Sequence, residues 1–130
     1  MYPPEVERFV ARHGLAEISH SVGSAFGDLQ TCFASDEMDL RITRDRGQWL
    51  AEIRPSQGGR WLYLSRLLRY LENYPPISPP NVLPDIGEMM TKADQGYSTI
   101  VEVLNDPDKC AKAYEYEQQV SAAFVASLLQ

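Results

Sequence analysis

The stretch MDLRITRDRGQWLAEIRP, Met38 to Pro55, decides how this chain folds. In its first half Leu40 and Ile42 alternate with Arg41 and Thr43. In its second half Trp49, Ala51 and Ile53 alternate with Leu50 and Glu52. A period of two sends alternate side chains to opposite sides of a pleated strand, so each half predicts a strand with one apolar face. Between them Asp45-Arg46-Gly47 has the chemistry of a hairpin connection of about three to five residues, with glycine supplying the positive φ that ends such a turn. A phosphate cradle needs several glycines leading into a helix amino terminus, whereas here one glycine leads into a strand. The stretch is a hairpin with a charged tip.

Outward from this hairpin, LQTCFA and EISHSV predict two earlier strands. Turn residues separate them: Gly23 and Gly27-Asp28, then Ser35, Asp36 and Glu37. Connections this short make an antiparallel meander, because parallel neighbours need a long crossover. The preceding PPEVERFVARHG predicts a helix with Pro3 or Pro4 in its first turn, Val6, Phe9 and Val10 on one face, and Gly14 closing it. His13 then lies at the carboxyl end, where a cation faces the negative end of the helix dipole.

On the other side, PSQGGR is a loop leading to a leucine stripe, Trp61, Leu64, Leu67, Leu68 and Leu71, at helical spacing. That helix is expected to cover the apolar face of the sheet. Five prolines in PPISPPNVLP predict an extended connector over 75–84. Beyond it Ile86, Met89, Met90, Ala93, Tyr97, Ile100, Val101 and Leu104 keep one helical stripe, with Gly87 and Gly96 as weak points. Asp106-Pro107 caps and starts a last helix carrying Cys110, Ala113, Tyr114, Val120, Phe124 and Leu128 on one face. The expected fold is α+β: an antiparallel four-stranded meander with an N-terminal helix and three C-terminal helices packed on the sheet. It forms one domain over 1–130, sheet-rich over 15–55 and helical over 85–130.

Composition agrees with one globular domain: 130 residues, 44% apolar and 23% charged, unlike a disordered chain. Cys32 and Cys110 are too few for a disulfide scaffold and form no CxxC unit, which fits a reduced, bacterial-type cytoplasm. The opening MYPPEVERF lacks the basic start and apolar run of a signal peptide, and AAFVASLL is far short of a membrane span. A cytoplasmic location with no membrane partner is expected.

The net charge of −6 is uneven. Residues 1–39 hold seven acids and two bases, residues 41–69 two acids and seven arginines, and residues 72–130 nine acids and three lysines. An acidic balance disfavours nucleic acid, since only Lys and Arg release its counterions, and favours a basic protein partner, although taken alone it is first of all what keeps a protein soluble.

Sets of residues able to run a reaction are thin. His13 and His20 are the two histidines, no serine sits in a GxSxG turn, and no spacing ties Cys32 to either histidine as a thiol dyad. Asp36, Glu37 and Asp39 form the densest acidic cluster but lack the alternation, central glycine and final glutamate of a calcium loop. Glu115 and Glu117, two apart on a helix, point away from each other. Arg41, Arg44, Arg46 and Arg54 are read as a polar sheet face pairing with the protein's own acids. The residues point to no metal and no cofactor.

MDLRITRDRGQWLAEIRP followed by RWLYLSRLLRYLE is similar to an arrangement met among small bacterial immunity proteins of polymorphic toxin systems. The shared pattern is a strand, a D-R-G-Q hairpin, another strand, a tryptophan and a leucine-rich helix, over residues 38–72. The resemblance implies a stoichiometric inhibitor of a cognate toxin protein and carries no functional residues with it. On this reading the partner-binding candidates are Asp36, Glu37 and Asp39 at the strand connection and Asp106, Asp108, Glu115 and Glu117 on the last helix. Two rivals stand beside it: a scaffold that self-associates through its helical stripes, and a small enzyme or ligand-binding domain with a pocket between sheet and helices. The sequence sets no oligomeric state.

Overall fold

The Met38–Pro55 hairpin is the centre of the molecule. The computed structural model describes residues 2–23, 27–56, 58–77 and 84–129. Strands β3 (Met38–Asp45) and β4 (Gln48–Pro55) pair antiparallel with Leu40 opposite Ile53 and Ile42 opposite Ala51, and all four side chains are buried. The turn between them is shorter than the spacing predicts. Asp45 pairs directly with Gln48, leaving Arg46 and Gly47 as a two-residue loop in which both have positive φ, 54° and 79°. That conformation matches the right-handed twist of the strands it joins. The side chain of Asp28 accepts the Arg46 N–H at 2.9 Å and pins the tip.

β1 (Ala16–Val22) and β2 (Leu29–Ala34) complete the expected meander, and a short β5 (Leu62–Tyr63) adds a fifth strand, in the order β1-β2-β3-β4-β5. The four-strand expectation is corrected here. Leu62 and Tyr63 pair with Ile53 and Glu52, so the helix expected from Trp61 begins at Leu64 instead, as α2 (Leu64–Leu71). Leu64, Leu67 and Leu68 are buried as expected, Leu71 is half-buried, and Trp61 lies on the opposite face of the sheet, away from the helices. Three C-terminal helices become four. Gly96 divides the long stripe into α3 (Ile86–Gln95) and α4 (Tyr97–Asn105), and α5 (Pro107–Leu128) follows. Glycine favours such a break because it lacks a side chain to lock the helix.

The core lies between the sheet's apolar face and α2, α3 and α4, which pack on β4, while α5 reaches the sheet at β5. The first helix, α1 (Pro4–Arg12), packs on α3, with Val6 and Phe9 buried. His13 at its end donates its Nε2–H to the Asp94 carboxylate at 2.7 Å and stacks on Tyr97, ring centroids 3.6 Å apart, and Arg12 also pairs with Asp94. Of the proline connector, Pro75, Pro76, Ile77 and Pro84 are exposed, and residues 78–83 lie outside those described. No helix among the described residues is long and apolar enough to cross a membrane.

Candidate functional site

Four of the seven candidate acids meet at one end of the molecule. The β2–β3 turn is closed by Ser35, whose N–H donates to the Met38 carbonyl while its hydroxyl oxygen accepts the N–H groups of Glu37 and Met38. Two residues, Asp36 and Glu37, are thereby pushed outward at the tip, both exposed. The junction of α4 and α5 comes to the same place. Asn105 donates its amide to the Glu37 carbonyl at 3.0 Å, and Tyr97 donates its hydroxyl to the Glu37 carboxylate at 2.9 Å. Burial and this carboxylate raise the Tyr97 phenol to about 12, so it stays a donor across the neutral range.

Next to Asn105, Asp106 caps α5 by accepting the N–H groups of Asp108 and Lys109. The exposed Asp108 follows it, and Glu102, one turn earlier, pairs with Lys109 at 2.7 Å. The result is a rim of Asp36, Glu37, Glu102, Asp106 and Asp108, answered locally by Lys109. Acids nearly seventy residues apart in sequence are joined by one asparagine and one tyrosine.

The other three candidates stand elsewhere. Asp39 faces the open side of the sheet, is only 5% exposed, and accepts a hydrogen bond from Arg54 at 2.8 Å; it holds the sheet face together and is not offered to solvent. Glu115 is exposed two turns into α5. Glu117 is half-buried and its carboxylate accepts the Tyr63 N–H at 2.7 Å, tying α5 to β5. Burial pushes the Glu117 carboxyl up, against the downward pull of the Tyr63 N–H, Arg66 and Arg60. A raised carboxyl binds its proton more tightly folded than unfolded, so its contribution to stability is full below the ordinary value of 4.5 and is lost as pH rises through the raised one. Glu117→Gln keeps an acceptor for Tyr63 and removes the charge. It is expected to raise Tm at about pH 7 and to leave it nearly unchanged at about pH 3, measured by thermal melts at both. Equal melting curves at neutral pH would show that this burial carries no cost.

The open face of the sheet is an ion-pair ladder. Arg41 grips Glu52 through two hydrogen bonds, 2.9 and 2.8 Å, which raise its already high pKa, and Arg54 holds Asp39. The Trp61 ring lies between the two arginines, 4.4 Å from the guanidinium of Arg41 and 4.3 Å from that of Arg54. The expectation that these arginines meet the protein's own acids is met at Arg41 and Arg54 and, at 3.8 Å on the exposed tip, by Arg46 with Asp45, while Arg44 lies over Trp49. Cys32 sits on this face opposite Arg41. His20 pairs with Thr31 and bonds to its hydroxyl at 2.6 Å, so neighbouring strand positions send Cys32 and His20 to opposite faces and no dyad forms. The second cysteine, Cys110, is buried on the inner side of α5, and burial raises its thiol.

Open grooves run along the crossing of α2 with α3 and α4, floored by Leu68 and Ile100 and edged by the Glu72–Lys92 pair. Neither contains Cys32, His20 or Asp36. Among the described residues no three His, Cys, Asp or Glu side chains converge where a metal ion could sit.

No family model, curated protein or solved structure matches this chain. Its function is therefore argued from its own geometry. The rim was half legible in the sequence: both acid clusters stood out, but their meeting depends on Asn105 and Tyr97, which no local pattern marks.

Proposed function

We propose that the chain is a non-catalytic binding protein of the immunity type, which neutralises a basic toxin domain by covering its substrate-binding surface with the acidic rim. The supporting observation is the joint hold of Asn105 and Tyr97 on Glu37, which fixes the β2–β3 tip against the start of α5. Acids held on a rigid frame lose little conformational freedom on binding, and their summed field steers a cationic partner toward them. Such a toxin, of the nuclease type, presents cations that meet phosphate, and carboxylates at similar spacing compete for them.

Asp36 and Asp108 are the positions to test, since both are exposed and their side chains hold no other part of the structure among the described hydrogen bonds. The protein encoded by the neighbouring reading frame is purified and its association with this chain is followed by stopped-flow mixing. Asp36→Lys with Asp108→Lys is expected to slow association roughly tenfold or more at low salt and to flatten its salt dependence. Unchanged association in the double variant, or no complex with the neighbouring product, overturns the reading.

A further inference from the structure

The two edges of the sheet are built differently. β5 is two residues long, and α5 packs beside it with the Glu117 carboxylate accepting the Tyr63 N–H, so that edge is covered. β1 pairs with β2 alone, and all seven of its residues are exposed. Next to it the Gly23 N–H donates to the Asp28 carbonyl at 2.9 Å. Backbone groups alternate sides along an antiparallel strand, so those of Ser21 and Ser19 face β2 and those of Val22 and His20 face outward. An outward row of N–H and C=O groups is satisfied by another extended backbone, and proteins commonly guard it with Lys, Pro or a very short strand. AEISHSV has none of these. Its one irregularity is a bulge between Glu17 and Ser19, which skips Ile18. Glu17 and His20, three apart, would lie on opposite faces of a regular strand. The bulge instead sets Glu17 opposite Phe33 and His20 opposite Thr31, two buried residues that share one face of β2.

We propose that β1 pairs antiparallel with β1 of a second copy of the chain about a two-fold axis at Ser19, joining two five-stranded sheets into one. Such an axis stands perpendicular to the sheet and matches residues of the same face. With Ser19 on the axis and Ile18 skipped, Glu17 of each copy stands opposite His20 of the other, and Ala16 stands opposite Ser21. His20 uses Nδ1 on the Thr31 hydroxyl at 2.6 Å, which leaves Nε2 for the carboxylate across the axis. The complementary pair therefore occurs twice, while the outward backbone groups of His20 gain partners. A strand from another protein would meet the same backbone groups; the second copy is selected because its side chains match in this register as well. Seven residues of strand span about 24 Å, so the seam buries less than the ~1,600 Å² of a standard stable interface and the dimer is weak.

Sedimentation velocity from micromolar to millimolar concentration should show a reversible monomer–dimer equilibrium. Glu17→Lys should weaken it about tenfold, because it takes the acceptor away from both His20 rings. Glu17→Lys with His20→Glu restores opposite charges across the axis and should recover most of that loss. Val22→Pro removes an N–H that faces away from β2, so it should abolish the dimer and leave the far-ultraviolet circular dichroism unchanged. As a second readout, Ser19→Cys in a Cys32→Ser background should form a disulfide-linked dimer under mild oxidation, since facing residues of a non-hydrogen-bonded pair have Cα atoms about 4.5 Å apart. Ser21→Cys in the same background, facing Ala16, should not. A monomer at every concentration overturns the proposal, as does a dimer that Val22→Pro leaves intact or a cross-link at Ser21 in place of Ser19. So does a chain whose β1 amides gain protection from hydrogen exchange only when a different protein is bound, because the occupant would then be a strand of that protein.

Discussion

Phe9→Ala is expected to lower the unfolding free energy by about 4 kcal/mol, within the range for emptying a fully buried aromatic site. Phe9 is 2% exposed and sits where α1 meets the rest of the molecule, with ring centroids 4.7 Å from His13 and 5.7 Å from Tyr97. Its removal leaves a void that the stacked His13–Tyr97 pair cannot fill without giving up the Asp94 and Glu37 hydrogen bonds. Against a total stability of about 5–15 kcal/mol for a typical domain, this is a large share. Phe9→Leu, which keeps most of the volume, should cost less than half as much. Urea titrations of the three proteins decide it, and a loss below about 1 kcal/mol for Phe9→Ala would mean that α1 contributes little to the core. Because Tyr97 carries the link to Glu37, the same variant should also loosen the acidic rim.

Arg54→Ala is the second large effect, with an expected loss of about 3 kcal/mol. The reason lies with its partner. Asp39 is buried, and Arg54 supplies the cation that compensates it, so the variant leaves an uncompensated carboxylate inside the protein. Trp61 also loses the guanidinium on one of its sides. Adding Asp39→Asn to Arg54→Ala removes the stranded charge and should recover a good part of the stability. If the double variant is no more stable than Arg54→Ala, Asp39 is not the source of the loss. Surface ion pairs rarely matter this much, and the exposed Lys109–Glu102 pair should contribute far less by comparison.

The Asp39–Arg54 pair also shows how much of the fold the sequence carried. Alternation in Met38–Pro55 was enough to predict both strands and their apolar faces, because the hydrophobic period is a direct consequence of burying one side. Turn length was the missing quantity. With a two-residue loop at Arg46-Gly47, register follows at once and places Asp39 opposite Arg54 and Arg41 opposite Glu52. With a longer loop assumed, those pairings stay hidden and Asp39 looks like a free acid. Arginine at a positive φ is uncommon, so nothing in the residue types announced the tighter turn.

Trp61 and Leu62-Tyr63 were obscured for a different reason. Apolar residues at helical spacing continue unbroken from Trp61 to Leu71, and a two-residue strand is too short to impose its own period. Pairing with Ile53 and Glu52 overrides local preference there, a tertiary effect with no local signature. The break at Gly96 was visible as a weak point, since a glycine inside a helical stripe lowers propensity, but the change of direction it permits depends on the sheet beneath.

The docking of α1 on α3 has a consequence for the chain as it is made. Arg12 and Asp94, which clasp the two helices, are 82 residues apart. At roughly 5–20 residues per second, a ribosome delivers the second about 4–16 s after the first. During that interval Val6 and Phe9 have no surface to cover them, while the neighbouring meander can already pair strand by strand. Helix α1 thus waits for a partner made much later, and nascent chains halted before Asp94 should be the ones that chaperones hold.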